Sequence, residues 1–272
     1  MRTPVARRIV ASIFVLCTVI GLKWAGNLQP TQAQTVLAAA RLLPDVEGFH
    51  PGMTLQEGYN RMKEYNANAI IKFDNTLISQ LGDKPLPYQL TMSESNIEQS
   101  PKIVQLGITL PPNKQIIWRV AGQLQTFPGQ EDMVRTILIA ALREKYGPET
   151  YAHVEGSPAT VSTFVWLFDE QGRPATENTP PASPCAVANL VANSLGPGMA
   201  ILNQPSSTFP QDQSGGWMRC KSLVFVNAVL QADAAKGKPE SINRIAVSVA
   251  DSGLASRAQD ATVAFLAKAN AK

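Results

Sequence analysis

Three observations in the sequence predict an α+β fold of antiparallel sheets with helices packed on one face. Strand-like segments follow one another across short turns, as in Ile103–Leu110 and Gln115–Phe127 around Pro111-Pro112-Asn113. Single amphipathic helices interrupt these runs, without the regular strand–helix alternation of a doubly wound sheet. The order helix-then-strands also occurs twice, over 53–127 and 131–250, which suggests two repeated helix-plus-meander units.

The chain opens on a leader. Arg2, Arg7 and Arg8 form a basic region before the apolar stretch Ile9–Leu22. That stretch is shorter than the ~20 residues of a membrane span and fits a secretory signal peptide. Thr31-Gln32-Ala33 offers a small-x-small cleavage site, with Ala38-Ala39-Ala40 competing and an uncleaved anchor as the alternative. Leu16 before Cys17 argues against a lipid attachment site, and the Arg7-Arg8 pair lacks twin-arginine flanks, so the general secretory route is expected. The expected divisions are residues 1–33 as leader, 34–128 as a first unit and 129–272 as a second.

Four of the 24 basic residues lie in the leader, which has no acid; the remaining chain carries 20 basic and 21 acidic residues. The formal charge of +3 thus becomes −1, with no basic run of the kind that follows a nucleic-acid backbone. Cys185 and Cys220 are the two cysteines beyond the leader. In an exported protein such a pair is expected to form a disulfide. Closing a loop of about 35 residues, it would stabilise the fold by just under ~4 kcal/mol.

Taken in order, Gln34–Leu43 reads as a short helix or tether. Thr54 followed by Glu57 is a capping box, in which hydroxyl and carboxylate satisfy each other's backbone N–H. It opens a helix with Leu55, Tyr59 and Met62 on one face. Ala69–Phe73 is a short strand, 74–84 a loop or short helix, and Leu86–Met92 a strand. Val104, Leu106, Ile108 and Leu110 alternate with Gln105, Gly107 and Thr109, so one side of that strand is expected inward and the other outward. The next strand repeats the pattern with Ile116, Trp118, Val120 and Leu124 on one face.

Phe127-Pro128-Gly129 then turns into a helix over 130–146, whose stripe is Val134, Ile137, Leu138, Ala141 and Leu142, with Arg135 on the water side. Glu131 and Asp132 at its start, and Arg143 and Lys145 at its end, complement the helix dipole. Gly147 caps it and Pro148 stops it. Strands are expected at Val161–Phe168, Ser222–Gln231 and Ile242–Ala250. Between them lie the proline-rich loop 173–184, a short helix 185–193, the polar loop 203–216 and the turn 236–239. A last helix over 252–269 buries Ala258, Ala261, Thr262, Phe265 and Leu266.

Chemistry is hard to find in this pattern. Only His50 and His153 could serve as an imidazole base, and both stand in turn-like contexts. The nucleophile-elbow, phosphate-loop and dinucleotide-binding motifs are missing, as is paired-histidine spacing for a metal. Asp45, Glu47 and His50 are close together but precede a helix in a loop. The reading is therefore of no catalytic, cofactor-binding or metal-ligating residues. Trp118 and Trp166 read as core, while Trp217, Tyr59 and Tyr65 are the candidate contact residues.

The Gly52-Met53-Thr54-Leu55-Gln56-Glu57 helix start resembles the opening of the small BamE/SmpA-like envelope proteins, where a helical hairpin packs on a three-stranded antiparallel sheet. Lys145–Glu149 and the aromatic strand 166–168 are similar to a helix-Gly-x-Pro-strand stretch of the same superfamily, and tandem units of this kind resemble the β-lactamase-inhibitor-protein-like fold. The resemblance covers about a third of the chain and implies binding or assembly, without catalytic residues. The expectation is a bacterial periplasmic, non-enzymatic protein that acts by protein–protein contact. A small-molecule or cell-wall-fragment binder is the alternative, using a cleft between the units lined by Trp217, and a hydrolase with carboxylates converging in space is a third reading. No nucleic-acid partner is expected, and membrane contact only through an uncleaved leader.

Overall fold

The computed structural model describes residues 44–78, 84–95, 101–127, 130–131, 133–155, 161–169, 172–174, 224–232, 238 and 240–270. All belong to one compact unit, Leu42–Lys272. The leader, the stretch 34–43, the helix expected at 185–193, the loop 203–216, and Cys185, Trp217 and Cys220 lie outside the described residues.

The strands are β1 (Ile70–Leu77), β2 (Pro85–Ser93), β3 (Lys102–Ile108), β4 (Ile117–Gln125), β5 (Met133–Val134), β6 (Tyr151–Glu155), β7 (Val161–Phe168), β8 (Val224–Ala232) and β9 (Ser241–Asp251). The helices are α1 (Leu55–Tyr65), α2 (Arg135–Tyr146) and α3 (Ser252–Asn270). All nine strands join one sheet in the order β1-β2-β3-β4-β9-β8-β7-β6, with β5 paired to the far end of β9. Every pairing is antiparallel.

This corrects the expected α+β arrangement of separate sheets layered with helices in repeated units. The fold is dominated by one large antiparallel sheet, to which three helices are accessory. Residues 74–77 extend β1 where a loop or helix was expected. Asp74 and Asn75 are disfavoured in strands, but a bulge between them absorbs the pair.

The main core lies on one face of the sheet. Leu90, Leu106, Val120, Val249, Val226 and Trp166 come into register across it, and Met62 of α1 with Leu138 and Leu142 of α2 complete the cluster. Helix α1 forms as its capping box predicts: Thr54 Oγ1 accepts from the Glu57 N–H at 3.2 Å, and Glu57 Oε2 accepts from the Thr54 N–H at 2.7 Å. It sits close to the sheet through Gly58, whose missing side chain would meet Ile117 Cδ1 at 2.6 Å and Leu106 Cδ1 at 2.7 Å.

Helix α2 begins five residues later than expected, because Met133 and Val134 pair with Ile242 and Ser241 of β9. Glu131 and Asp132 therefore lie before the helix, while Arg143 and Lys145 occupy its last turn as read. Its buried line is Arg135, Leu138, Leu142 and Tyr146, and the expected stripe is rotated: Ile137 is 66% exposed. The reason is a polar contact. Arg135 Nη1 donates to Ser162 Oγ at 2.5 Å on the core face of β7, so the stem of the arginine replaces an apolar side chain. Trp166 instead follows the core expectation: it is buried, and its indole N–H donates to the Gly147 carbonyl at 2.8 Å.

Trp118 departs from the core expectation. A bulge opposite Gly107–Ile108 places Ile117 on the core face, while Trp118 is half-buried beside Gly107. Helix α3 contacts β4 and β8, the two strands flanking β9, and contributes nothing to the main cluster. Asn113 donates to the Ala258 carbonyl at 3.0 Å, tying α3 to the β3–β4 turn. Ala258 and Thr262 are buried as expected, whereas Phe265 is exposed.

Candidate functional site on the polar face of the sheet

Strand alternation places the side chains between the core positions on the other face of the sheet. The sequence reading sends Gln105 and Thr109 outward to water, yet both are buried, as are Thr91, Gln123, Asn227 and Ser248. The register lines several of them up in one row. Asn227 of β8 faces Ser248 of β9, which faces Ala121 of β4, which faces Gln105 of β3, which faces Thr91 of β2. Small residues floor the middle of this face: Ala246, Ser248 and Ala250 along β9, with Ala121 beside them. Apolar Phe225 and Val229 flank Asn227 on its own strand, and Val165 faces it from β7.

Most polar groups here are satisfied. Arg244 Nε donates to Gln123 Oε1 at 2.7 Å. Toward β1, Gln89 Nε2 and Thr91 Oγ1 donate to Asp74 Oδ2 at 2.9 and 3.3 Å. Two groups are exceptions among the described residues. Neither Nδ2 nor Oδ1 of Asn227 has a hydrogen-bond partner, although the residue is only 2% exposed. A buried amide left unpaired costs about 1–3 kcal/mol, so such groups are rare in folded proteins. Asn243, whose Oδ1 is likewise without a partner, is the second. Arg119 stands on the same face as Asn227, opposite Gly107 and Ala250. Burial pushes the Arg119 guanidinium down to about 10.

A second polar cluster lies where the turn 45–50 meets both helices. Lys102 bridges to Glu47 at 3.2 Å, and Tyr65 donates to Glu47 Oε2 at 3.1 Å while its ring lies under the Lys102 ammonium. Lys145 pairs with Asp45 at 2.9 Å, and the Tyr146 hydroxyl donates to the Asp45 carbonyl at 2.6 Å. Burial, reinforced by Asp45 and Glu47, pushes the Tyr146 hydroxyl far above the usual phenol range, so it remains a donor. These partners satisfy one another, and the cluster fastens the turn to α1 and α2.

The structure separates the two tyrosines expected as contacts. Tyr65 is engaged in that cluster. Tyr59 stacks on Phe73 of the edge strand, with ring centroids 6.0 Å apart and the Lys63 ammonium 4.7 Å from its ring. His50 Nδ1 lies 2.9 Å from the Pro51 carbonyl, and His153 stands exposed on β6 beside Tyr151, so the two histidines do not meet. Among the described residues no group of His, Cys, Asp and Glu could hold a metal ion, and no helix is long and apolar enough to cross a membrane.

Asn227 and Arg119 escaped the sequence reading because each occupies an outward slot of an alternating strand, where polar residues are ordinary. The available signal was the polar residue inside the otherwise apolar run Val224–Leu230. Comparison of the chain with protein-family models, curated proteins and solved structures finds no match.

Proposed function

We propose that this is an exported, non-enzymatic protein of the bacterial periplasm that works by contact with a partner protein, and that strand β1 is the contact element. The observation that carries the reading is the apolar character of an open edge. Among the described residues β1 pairs on one side only, with β2, and it exposes Ile70 (42%), Phe73 (44%) and Leu77 (65%). Open edges are usually blunted by charge or proline, because their free N–H and C=O groups template another strand. An extended segment of a partner can add to such an edge, its backbone supplying affinity and the apolar side chains selecting it. Tyr59, stacked on Phe73, would form one wall of that surface.

The test is site-specific photocrosslinking in an envelope fraction. A photoreactive residue at Leu77 should give a discrete protein adduct, which Ile70→Lys removes, and a probe at Arg61 on exposed α1 should not give it. The same adducts from both probes, or an adduct unaffected by Ile70→Lys, would refute the edge as the contact element.

A further inference from the structure

The open edge of the sheet carries charge as well as apolar surface. Lys72 and Asp74 flank Phe73 on β1 and, by strand alternation, share the face opposite it. Lys72 is exposed and forms no ion pair among the described residues. Asp74 has no cation beside it there either. Gln89 Nε2 and Thr91 Oγ1 both donate to its Oδ2, which orients the carboxylate and leaves Oδ1 for another donor. A lone lysine on an edge ordinarily discourages pairing with a further strand. A lysine and an aspartate two residues apart instead select a strand with the reverse order of charge. An antiparallel copy of β1 has that order.

We propose that β1 pairs antiparallel with β1 of a second copy of this chain, and that this pairing covers the edge until a partner strand displaces it. The inference rests on the reading of β1 as the contact element and adds its regulation. Geometry allows few registers. Residues opposite each other in an antiparallel pair point to the same face, so the two-fold axis of a self-pairing passes through a residue and not between two. An axis through Lys72 sets two ammonium groups face to face, and one through Asp74 sets two carboxylates so. Axes through Ile71 or Asn75 leave both charges opposite uncharged residues. An axis through Phe73 places Phe73 against Phe73, and Lys72 against Asp74 twice over. Ile70 then lies opposite Thr76 and Leu77 opposite Ala69, so each exposed apolar residue of the strand gains a cross-strand neighbour. Tyr59, stacked on Phe73, extends the aromatic contact on both sides of the axis. The helices leave room for this. Gly58 seats α1 over Leu106 of β3 and Ile117 of β4, at least two strands in from the edge, or about 10 Å at the usual spacing.

One strand on each side is less than the ~20–30 residues of a standard interface, so the dimer is expected to be reversible. Sedimentation velocity on the exported chain, from micromolar to submillimolar concentration, should show a monomer–dimer equilibrium that weakens with salt. Lys72→Glu, at an exposed site, should weaken dimerisation at least about tenfold by setting like charges opposite each other at two places, and Asp74→Lys should do the same. An equimolar mixture of the two variants should dimerise as the parent does, because each supplies the charge that the other has lost. A change that merely disturbed β1 would not be rescued in this way. Phe73→Cys leaves both charges in place and should crosslink to itself on oxidation. Lys72→Cys should not, since its two copies stand more than ~7 Å apart in this register. The Leu77 photoprobe faces Ala69 of the second copy and should give a dimer band that grows at the expense of the partner adduct as the chain's concentration is raised. A partner adduct with no dimer at any concentration overturns this inference and leaves the edge as contact element. A dimer with no partner adduct overturns that reading and leaves the pairing. A Lys72→Glu dimer as strong as the parent's, no rescue in the mixture together with no Phe73→Cys crosslink, or a partner adduct that holds its share as the dimer grows also overturns the proposal.

Discussion

Replacing Gly58 by alanine sets two effects of opposite sign against each other. Gly58 lies inside α1, where glycine is disfavoured relative to alanine by about 1 kcal/mol, so helix propensity alone predicts stabilisation. The added methyl, however, would stand 2.6 Å from Ile117 Cδ1 and 2.7 Å from Leu106 Cδ1. To reach an ordinary contact near 3.4 Å each terminal methyl must retreat by about 0.7–0.8 Å. Neither has room, because Leu106 and Ile117 are both fully buried in the main core. Overpacking of this kind costs about 1–3 kcal/mol, and two simultaneous clashes belong in the upper half of that range. The net expectation is a loss of about 1–2 kcal/mol, or about 2–8 °C in Tm for a chain of this size. Urea unfolding followed by fluorescence measures it, with an unchanged m-value showing that the change lies in stability. Ile117→Val deletes the nearer clashing atom, so the double variant should recover about 1 kcal/mol relative to additivity. A Gly58→Ala protein more stable than the parent, or strict additivity with Ile117→Val, would refute the close helix–sheet approach.

Two further outcomes follow from the helix ends. Thr54→Ala removes the acceptor for the Glu57 N–H and should cost about 1 kcal/mol in the same unfolding experiment, whereas Thr54→Ser should cost only a few tenths. Stability should also decline on acidification: the backbone hydrogen bond from Thr54 holds Glu57 below its usual range, and the Arg143 side chain does the same for Glu149. A carboxylate with a depressed folded pKa contributes stability above its unfolded value, near ~4.3, and loses it as pH falls through the lower folded value. Glu149→Gln should therefore flatten the acid limb of Tm against pH, and an unaltered limb would show that the Arg143 pair contributes nothing.

The fold was legible where one residue's chemistry decides local structure. The Thr54–Glu57 box, the Gly147 stop, the alternation of β3 and the existence of β4, β7 and β9 as strands could be read directly. What could not be read was how these pieces share surfaces. Helix α2 has two overlapping apolar lines, one through Ile137 and one through Leu138 and Tyr146, and periodicity does not choose between them. The choice rests on Arg135 reaching Ser162, 27 residues away. The polar face was misread for a related reason. Alternation predicts a wet side for every strand, and Gln105, Gln123 and Asn227 suit a wet side until the third dimension buries them. Hence Asn227 carried no signal beyond its place in the apolar run Val224–Leu230.

The seat of β9 has a consequence for how the chain reaches its folded state. Residues 244–250 pair with β4 on one side and β8 on the other, at sequence separations of more than 100 residues in the first case and about 20 in the second. The strand at the middle of the sheet is thus nearly the last to be synthesised. Until it arrives, the β1–β4 meander and the β6–β8 meander each end in an open inner edge, and neither can close against the other. A nascent chain shorter than about 240 residues therefore lacks the element that makes the sheet continuous. Non-local closure of this kind is slow, so the two meanders stay unjoined until the last strand is in place.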